Sequence, residues 1–282
     1  MGQKLPSAAV SSWQRVAALP TLVLAVGCAS VQTTESGMVG VDRKQTMSAL
    51  VSEEDINQGA AQAYAQVLDE ARRNGALDRD PAEVQRVRAI AARLIPQTGV
   101  FRADARGWKW DTHVLTSNEV NAWCMPGGKI AVYTALIEKL KLTDDELAAV
   151  MGHEIAHALR EHGRERVSQQ MATGVAVGIA SAALGLGGTG GQLADMVAQV
   201  TFTLPNSRLH EQEADRIGVE LAARAGYDPR GAVTVWQKMA QAGGGGTPQF
   251  LSTHPSPENR IKDLEVYAQK VMPLYQAARK GS

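Results

Sequence analysis

Apolar positions recur at helical spacing along most of this chain. After Asp80-Pro81-Ala82-Glu83, an N-cap with proline at N1 and glutamate at N3, come Val84, Val87, Ile90, Ala91 and Leu94; Pro96 ends the run. Thr143-Asp144-Asp145-Glu146 is a capping box. It opens a helix with Leu147, Val150, Met151, Ile155, Ala158 and Leu159 on one stripe, which Gly163 is expected to close. Further helices are expected from Ser52, from Ser207 to Gly226, from Asp228-Pro229 and from Ser256-Pro257. Residues 108–117 alternate like a strand, and Val120–Met125 and Lys129–Tyr133 flank Pro126-Gly127-Gly128 as a hairpin. The pattern predicts an α+β fold, mostly α, without internal repeats.

Three stretches depart from it. In residues 1–27 the charges are Lys4 and Arg15, followed by the apolar run 16–27. Twelve residues are too few to span a bilayer, which takes about 20, but suit the apolar region of a secretory signal. Leu24-Ala25-Val26-Gly27-Cys28 resembles a bacterial lipobox, which implies cleavage before Cys28 and its acylation. A plain signal peptide with an incidental cysteine is the alternative. Residue 29 is Ala, not Asp, which by the same resemblance implies outer-membrane sorting. Residues 28–50 read as a flexible tether, leaving 51–282 as the folded domain. Within it, 167–200 is Gly/Ala-rich, uncharged through residue 194. It reads as a flexible insertion covering the active site; a membrane-dipping segment, with Gly174 and Gly178 at G-x-x-x-G spacing, is the alternative.

Composition narrows the function classes. Lys+Arg and Asp+Glu are 29 each, so there is no basic excess for nucleic-acid phosphates and no nucleic-acid partner is expected. With 44% hydrophobic residues and 5% aromatics the chain is globular with an aliphatic core. Cys28 and Cys124 alone make neither a disulfide scaffold nor a four-cysteine zinc site.

The chemistry falls on two expected helices. His153-Glu154-Ile155-Ala156-His157 is H-E-x-x-H. The i, i+4 spacing puts both imidazoles on one face, able to share one Zn2+, with Glu154 beside the open position as general base. A third ligand is needed. Glu211 and Asp215, four apart on the later helix, share a face: Glu211 can complete the metal site, and Asp215 can accept the ring N–H of a ligating histidine. Glu213 lies off that face and reads as a surface residue. His162 reads as a helix C-terminal cation, and His113, His162 and His210 have no motif partner.

H-E-x-x-H followed by E-x-E-A-D and then His-Pro resembles the gluzincin endopeptidase family of HtpX, the CAAX prenyl proteases and the mitochondrial Oma-like proteases. The similarity covers about residues 50–270 and is strongest to the periplasmic lipoprotein branch. Asn121-Ala122-Trp123 with Pro126-Gly127-Gly128, Leu147–Glu154, Ser252–Pro257 and Arg260 carry it. The resemblance implies a gluzincin fold with Zn2+ on His153, His157 and Glu211, and with His254 and Arg260 near the metal as oxyanion donors. In some relatives the matching histidine ligates the resting zinc, which would make His254 a gate. Zincins hold peptides extended against a sheet edge, and residues 120–124, with Asn121, Ala122 and Trp123, are the candidate edge. Packed strand residues are the alternative for Trp123 and Cys124. The expected function is zinc-dependent hydrolysis of unfolded or misassembled envelope proteins at a lipid-anchored location. A non-enzymatic envelope binding factor is the rival class; a pure binder could lose Glu154.

Overall fold

A computed structural model describes residues 28–172, 190–242, 249–255 and 259–280. The expected signal segment, Gly174 and Gly178, and Ser256 and Pro257 lie outside the described residues.

The helices are α1 (Glu53–Arg73), α2 (Pro81–Leu94), α3 (Thr134–Leu140), α4 (Asp144–Leu159), α5 (His162–Ala172), α6 (Gly190–Phe202), α7 (Arg208–Arg224), α8 (Gly231–Ala242), α9 (Gln249–Thr253) and α10 (Arg260–Lys280). Strands β1 (Cys28–Val31) and β2 (Gln45–Ser48) pair antiparallel; β3 (Asp111–Leu115), β4 (Ala122–Met125) and β5 (Lys129–Tyr133) form a second sheet. Two 3-10 turns, Ile95–Val100 and Ala103–Gly107, link α2 to β3.

The caps read from the sequence are present. Asp80 accepts from the amides of Ala82 and Glu83, and Ser207 from that of His210. At Thr143 the box is reciprocal: the Glu146 amide donates to Thr143 Oγ1 at 3.3 Å, and the Thr143 amide to Glu146 Oε2 at 2.8 Å. The helix it starts runs through the centre of the molecule, with every residue from Glu146 to Leu159 buried. It ends at Leu159, before Gly163, which instead lies in α5.

The hairpin forms with Ala122 opposite Val132 and Met125 opposite Lys129, and Gly127 and Gly128 turn it at φ +76° and +81°. The strand expected over 108–117 is shorter and lies parallel to β5 on its other side, so β4 is left at an edge in the order β3-β5-β4. The sheet separates two apolar clusters. Val114, Ala122, Cys124, Ile130 and Val132 face the core of α2, α4, α7, α8 and α10. Leu115, Trp123, Met125 and Ala131 face a smaller core with Ile56, Ala60 and Tyr64 of α1 and Met196, Val197 and Val200 of α6. Burial on both faces follows from the period of two along each strand.

One sequence expectation is corrected here, and residues 173–189 of the Gly/Ala-rich stretch lie outside the described residues. Residues 28–50 are not a free tether: β1 and β2 pair, Val39, Val41 and Met47 are buried, and Arg43 and Gln45 reach into the body of the protein. Within the segment Arg43 pairs with the buried carboxylates of Glu165 and Glu213. The stretch 167–200 ends in a packed helix, with Ala194, Met196, Val197 and Val200 buried. Its far end does border the active-site cleft, through Val200 and Thr201. Among the described residues no helix is long and apolar enough to cross a membrane.

Candidate metal centre and active-site cleft

Helices α4 and α7 pack along each other and bring their motifs together. His153, Glu154 and His157 come from α4, Glu211 and Asp215 from α7, His254 from the residue after α9, and Arg260 from the first turn of α10. All seven are buried.

Four side chains converge on one point. His153 Nε2 lies 3.1 Å from His157 Nε2, 3.5 Å from Glu211 Oε2 and 3.2 Å from His254 Nδ1. Glu211 Oε1 lies 3.3 Å from His157 Nε2 and 3.1 Å from His254 Nδ1. One potential ligand atom from each of the four lies within 4.8 Å of the other three. A tetrahedral zinc with ligand bonds of about 2.0–2.1 Å separates its donors by roughly 3.3–3.4 Å. The observed spacings and the His₃Glu donor set fit that ion. Without a cation, lone pairs of buried imidazole nitrogens and a carboxylate would face one another at contact distance.

The supporting contacts are equally defined. His153 Nδ1 meets Asp215 Oδ1 at 2.9 Å, which fixes the ring with Nε2 toward the cluster. Burial alone would lower the His153 pKa, but its hydrogen bonds to the carboxylates of Asp215 and Glu211 raise it to about 9. Burial drives His157 well below the ordinary histidine range. Burial would raise Glu211, yet His254 and the hydrogen-bonded imidazoles hold it well below the usual carboxylate range. Burial raises Glu154. Its Oε1 has no hydrogen-bond partner among the described residues and lies 3.5 Å from His254 Nε2.

Arg260 stands behind the cluster. Its Nη1 donates to Glu211 Oε2 at 3.0 Å and its Nη2 to Asp215 Oδ1 at 2.6 Å, with the guanidinium 3.2 Å above the Trp236 ring. Both Nη atoms are thus engaged by carboxylates and fix Glu211 and Asp215, while Nε has no hydrogen-bond partner among the described residues. His254 does border the cleft, together with Asn121, Ala122, Trp123, Glu154 and His157. β4 is thus both a packed strand and an edge. The Trp123 ring is buried against Tyr64 and Phe202, while its strand borders the cleft. Cys28 opens β1, opposite Ser48.

Sequence reasoning missed a second buried layer. His162 and Glu213 are not surface groups: they are 1% and 3% exposed and meet through His162 Nε2 and Glu213 Oε2 at 3.0 Å. His162 begins α5, so the reading as a helix C-terminal cation is also wrong; burial pushes its pKa down to about 3. His210 Nε2 meets Glu165 Oε2 at 3.1 Å, and the rings of His162 and His210 stack at 4.3 Å. The available signal was a repeated H-x-x-E, His162–Glu165 and His210–Glu213, one on each of two helices and hydrogen-bonded crosswise.

Comparison with known proteins agrees with this centre. Residues 81–268 match peptidase family M48. The chain belongs to that family. It is 39% identical over 159 residues to the mitochondrial metalloendopeptidase OMA1 of Schizosaccharomyces pombe, covering 56% of this chain and 46% of that protein. Against the bovine (Bos taurus) mitochondrial metalloendopeptidase OMA1 the figures are 36% over 170 residues, 55% and 32%. Against the beta-barrel assembly-enhancing protease of Escherichia coli K12 they are 28% over 208 residues, 69% and 41%. The chain spans less than half the length of each of these three relatives. The M48 match supports the gluzincin fold and zinc as the cofactor of the His/Glu cluster.

Proposed function

We propose that the chain is a zinc metalloendopeptidase of the bacterial cell envelope that cuts unfolded or misassembled proteins. The observation that carries the peptidase reading is the buried cluster of His153, His157, Glu211 and His254 beside the unpartnered Glu154 Oε1, at a cleft bordered by an edge strand. His153, His157, Glu211 and His254 would hold zinc, which when bound would supply Lewis acidity for peptide hydrolysis.

The protein's own groups do the rest. The main chain of β4 holds an extended segment by strand addition, which binds backbone and so accepts many sequences but requires an unfolded one. Glu154 accepts a proton from the attacking water and returns it to the leaving amide nitrogen. Its raised pKa, caused by burial, brings it closer to the range in which a carboxyl can both take and give a proton. Asp215 and Arg260 hold His153 and Glu211 in place. His254 occupies a fourth donor position in the resting enzyme and, once displaced by substrate, can donate from Nε2 to the developing oxyanion.

The envelope setting rests on the lipobox-like Leu24–Cys28, which would leave β1 starting at an acylated Cys28, and on similarity to the Escherichia coli protease. The test is digestion of casein by the purified mature protein, stopped by a chelator and restored by zinc. Casein left intact at full zinc occupancy overturns the peptidase reading and favours a binding factor.

A further inference from the structure

We propose that His162 and Glu213 are positioning residues for His157, and that Arg43 of the amino-terminal hairpin completes the relay. The proposal rests on the reading of His157 as a zinc ligand.

The two candidate imidazole ligands of α4 are supported differently. His153 leans on a carboxylate, Asp215, through Nδ1. His157 turns Nε2 toward the cluster, and its Nδ1 lies 2.9 Å from Nδ1 of His162. A neutral imidazole that ligates through Nε2 carries its proton on Nδ1. His157 therefore donates, and His162 Nδ1 must present a lone pair. That places the His162 proton on Nε2, where Glu213 Oε2 accepts it at 3.0 Å. The tautomer needed at the metal is thus specified two residues away.

Glu213 is fixed in turn. Arg160 donates to its Oε2 from Nη2 at 3.0 Å, and Arg43 to its Oε1 from Nε at 2.6 Å. Arg43 also grips Glu165 with both Nη atoms, at 2.7 and 2.8 Å, and Glu165 meets the His210 ring that stacks on His162. Thr34 Oγ1 and the Arg43 carbonyl accept from Arg160. Three separate parts of the chain, residues 34–45, the start of α5 and the start of α7, thereby hold one ring. A buried ion pair with several fixed donors aligns groups even where its net contribution to stability is small. The amino-terminal hairpin is accordingly a component of the metal centre.

The experiment measures zinc release from the full mature holoenzyme into excess chelator, with the visible spectrum of the cobalt-substituted protein and the melting temperature of the zinc-free protein. His162→Phe keeps the ring that stacks on His210 and removes both nitrogens. Its zinc off-rate should rise about 10- to 100-fold, the usual loss when such a supporting group is removed, and the cobalt spectrum should shift. His162→Asn returns an acceptor near the Nδ1 position and should release zinc within a few-fold of the wild type. Arg43→Met should fall between them. Wild-type release from His162→Phe, or equal release from the Phe and Asn variants, overturns the relay. Should His162→Phe not accumulate folded, Glu213→Leu replaces it, and wild-type release then overturns the relay in the same way. His157→Ala must lose zinc outright; if it retains zinc like the wild type, the ligand reading itself has failed.

Discussion

Gly152 of α4 and Gly218 of α7 meet backbone to backbone. A Cβ on Gly218 would lie 2.6 Å from the amide nitrogen of His153, and a Cβ on Gly152 would lie 2.8 Å from the carbonyl oxygen of Gly218. The contact is adjacent in sequence to the first histidine of H-E-x-x-H and one turn beyond Asp215. It sets the helix separation at which His153 reaches Asp215 and Glu211. Gly218→Ala has no flexible side chain to displace, so the helices must part. We expect a loss on the order of 1–3 kcal/mol of stability and weaker zinc retention, measured by denaturant unfolding and metal analysis. A variant with wild-type values of both would show that the close approach is incidental.

Glu154 and the ligands should separate cleanly. Glu154 lies at the cleft with Oε1 unpartnered, while Glu211 lies inside the donor cluster. Glu154→Gln should keep near-stoichiometric zinc and lose casein cleavage by two or more orders of magnitude, the range typical of removing a general base. His153→Ala and Glu211→Ala should lose the zinc itself. Proteolysis at the wild-type rate by Glu154→Gln would remove it from the mechanism.

What the sequence revealed and what it hid divide along physical lines. Caps and periodicity are local signals, so α2, α4 and α7 and the β4–β5 hairpin were legible, as was the sharing of one helix face by His153 with His157 and by Glu211 with Asp215. The parallel partner β3 and the packing of 28–50 depend on contacts far along the chain, which no local pattern encodes. Glu213 was misread for a related reason. A carboxylate off the ligand face has solvent as its default neighbour, and its actual neighbours, Arg43 and Arg160, lie 170 and 53 residues away. Arg260 meets Glu211 and Asp215, and the direction of its Nη donors has no local signal in the sequence.

The buried carboxylates make a pH prediction. Burial would raise Glu213, but the hydrogen bonds from His162 and Arg43 and the charge of Arg160 take it down to about 2 from the ordinary 4.5. Glu165 is likewise lowered by Arg43, His210 and Gln45 against the effect of burial. A depressed carboxylate contributes stability that is complete above its unfolded pKa and is lost as pH falls through the folded one. For Glu213 that window runs from about 4.5 down to about 2. The zinc-free protein should therefore lose stability steeply below pH 4.5, and Arg43→Met should start lower and lose less. Parallel melting curves for the two between pH 6 and 2 would assign acid sensitivity elsewhere.

Acylation at Cys28 has a direct readout. Labelled palmitate should enter the wild type and not Cys28→Ser, and the variant should leave the membrane fraction or remain unprocessed. Anchoring through several acyl chains is strong because each buried methylene adds about 0.8 kcal/mol. Equal labelling of both proteins would withdraw the lipoprotein assignment.

The gate proposed for His254 is open to a direct test. Its Nδ1 is 3.2 Å from His153 Nε2 and 3.1 Å from Glu211 Oε1, at the spacing of a fourth ligand, and its ring stacks on Phe250 at 4.3 Å. A catalytic zinc needs a position open to water or substrate, and four protein ligands close it. His254 follows the five-residue helix α9 and precedes Pro255. Removing the side chain should therefore open the centre: His254→Ala should hold zinc less tightly and show higher basal autolysis. Its turnover of casein should gain less than its autolysis, because the donor to the oxyanion is lost with the gate. The measurement is zinc off-rate beside autolysis and casein turnover in one preparation. Reduced turnover with an unchanged off-rate would exclude the gate and leave His254 as a transition-state donor alone.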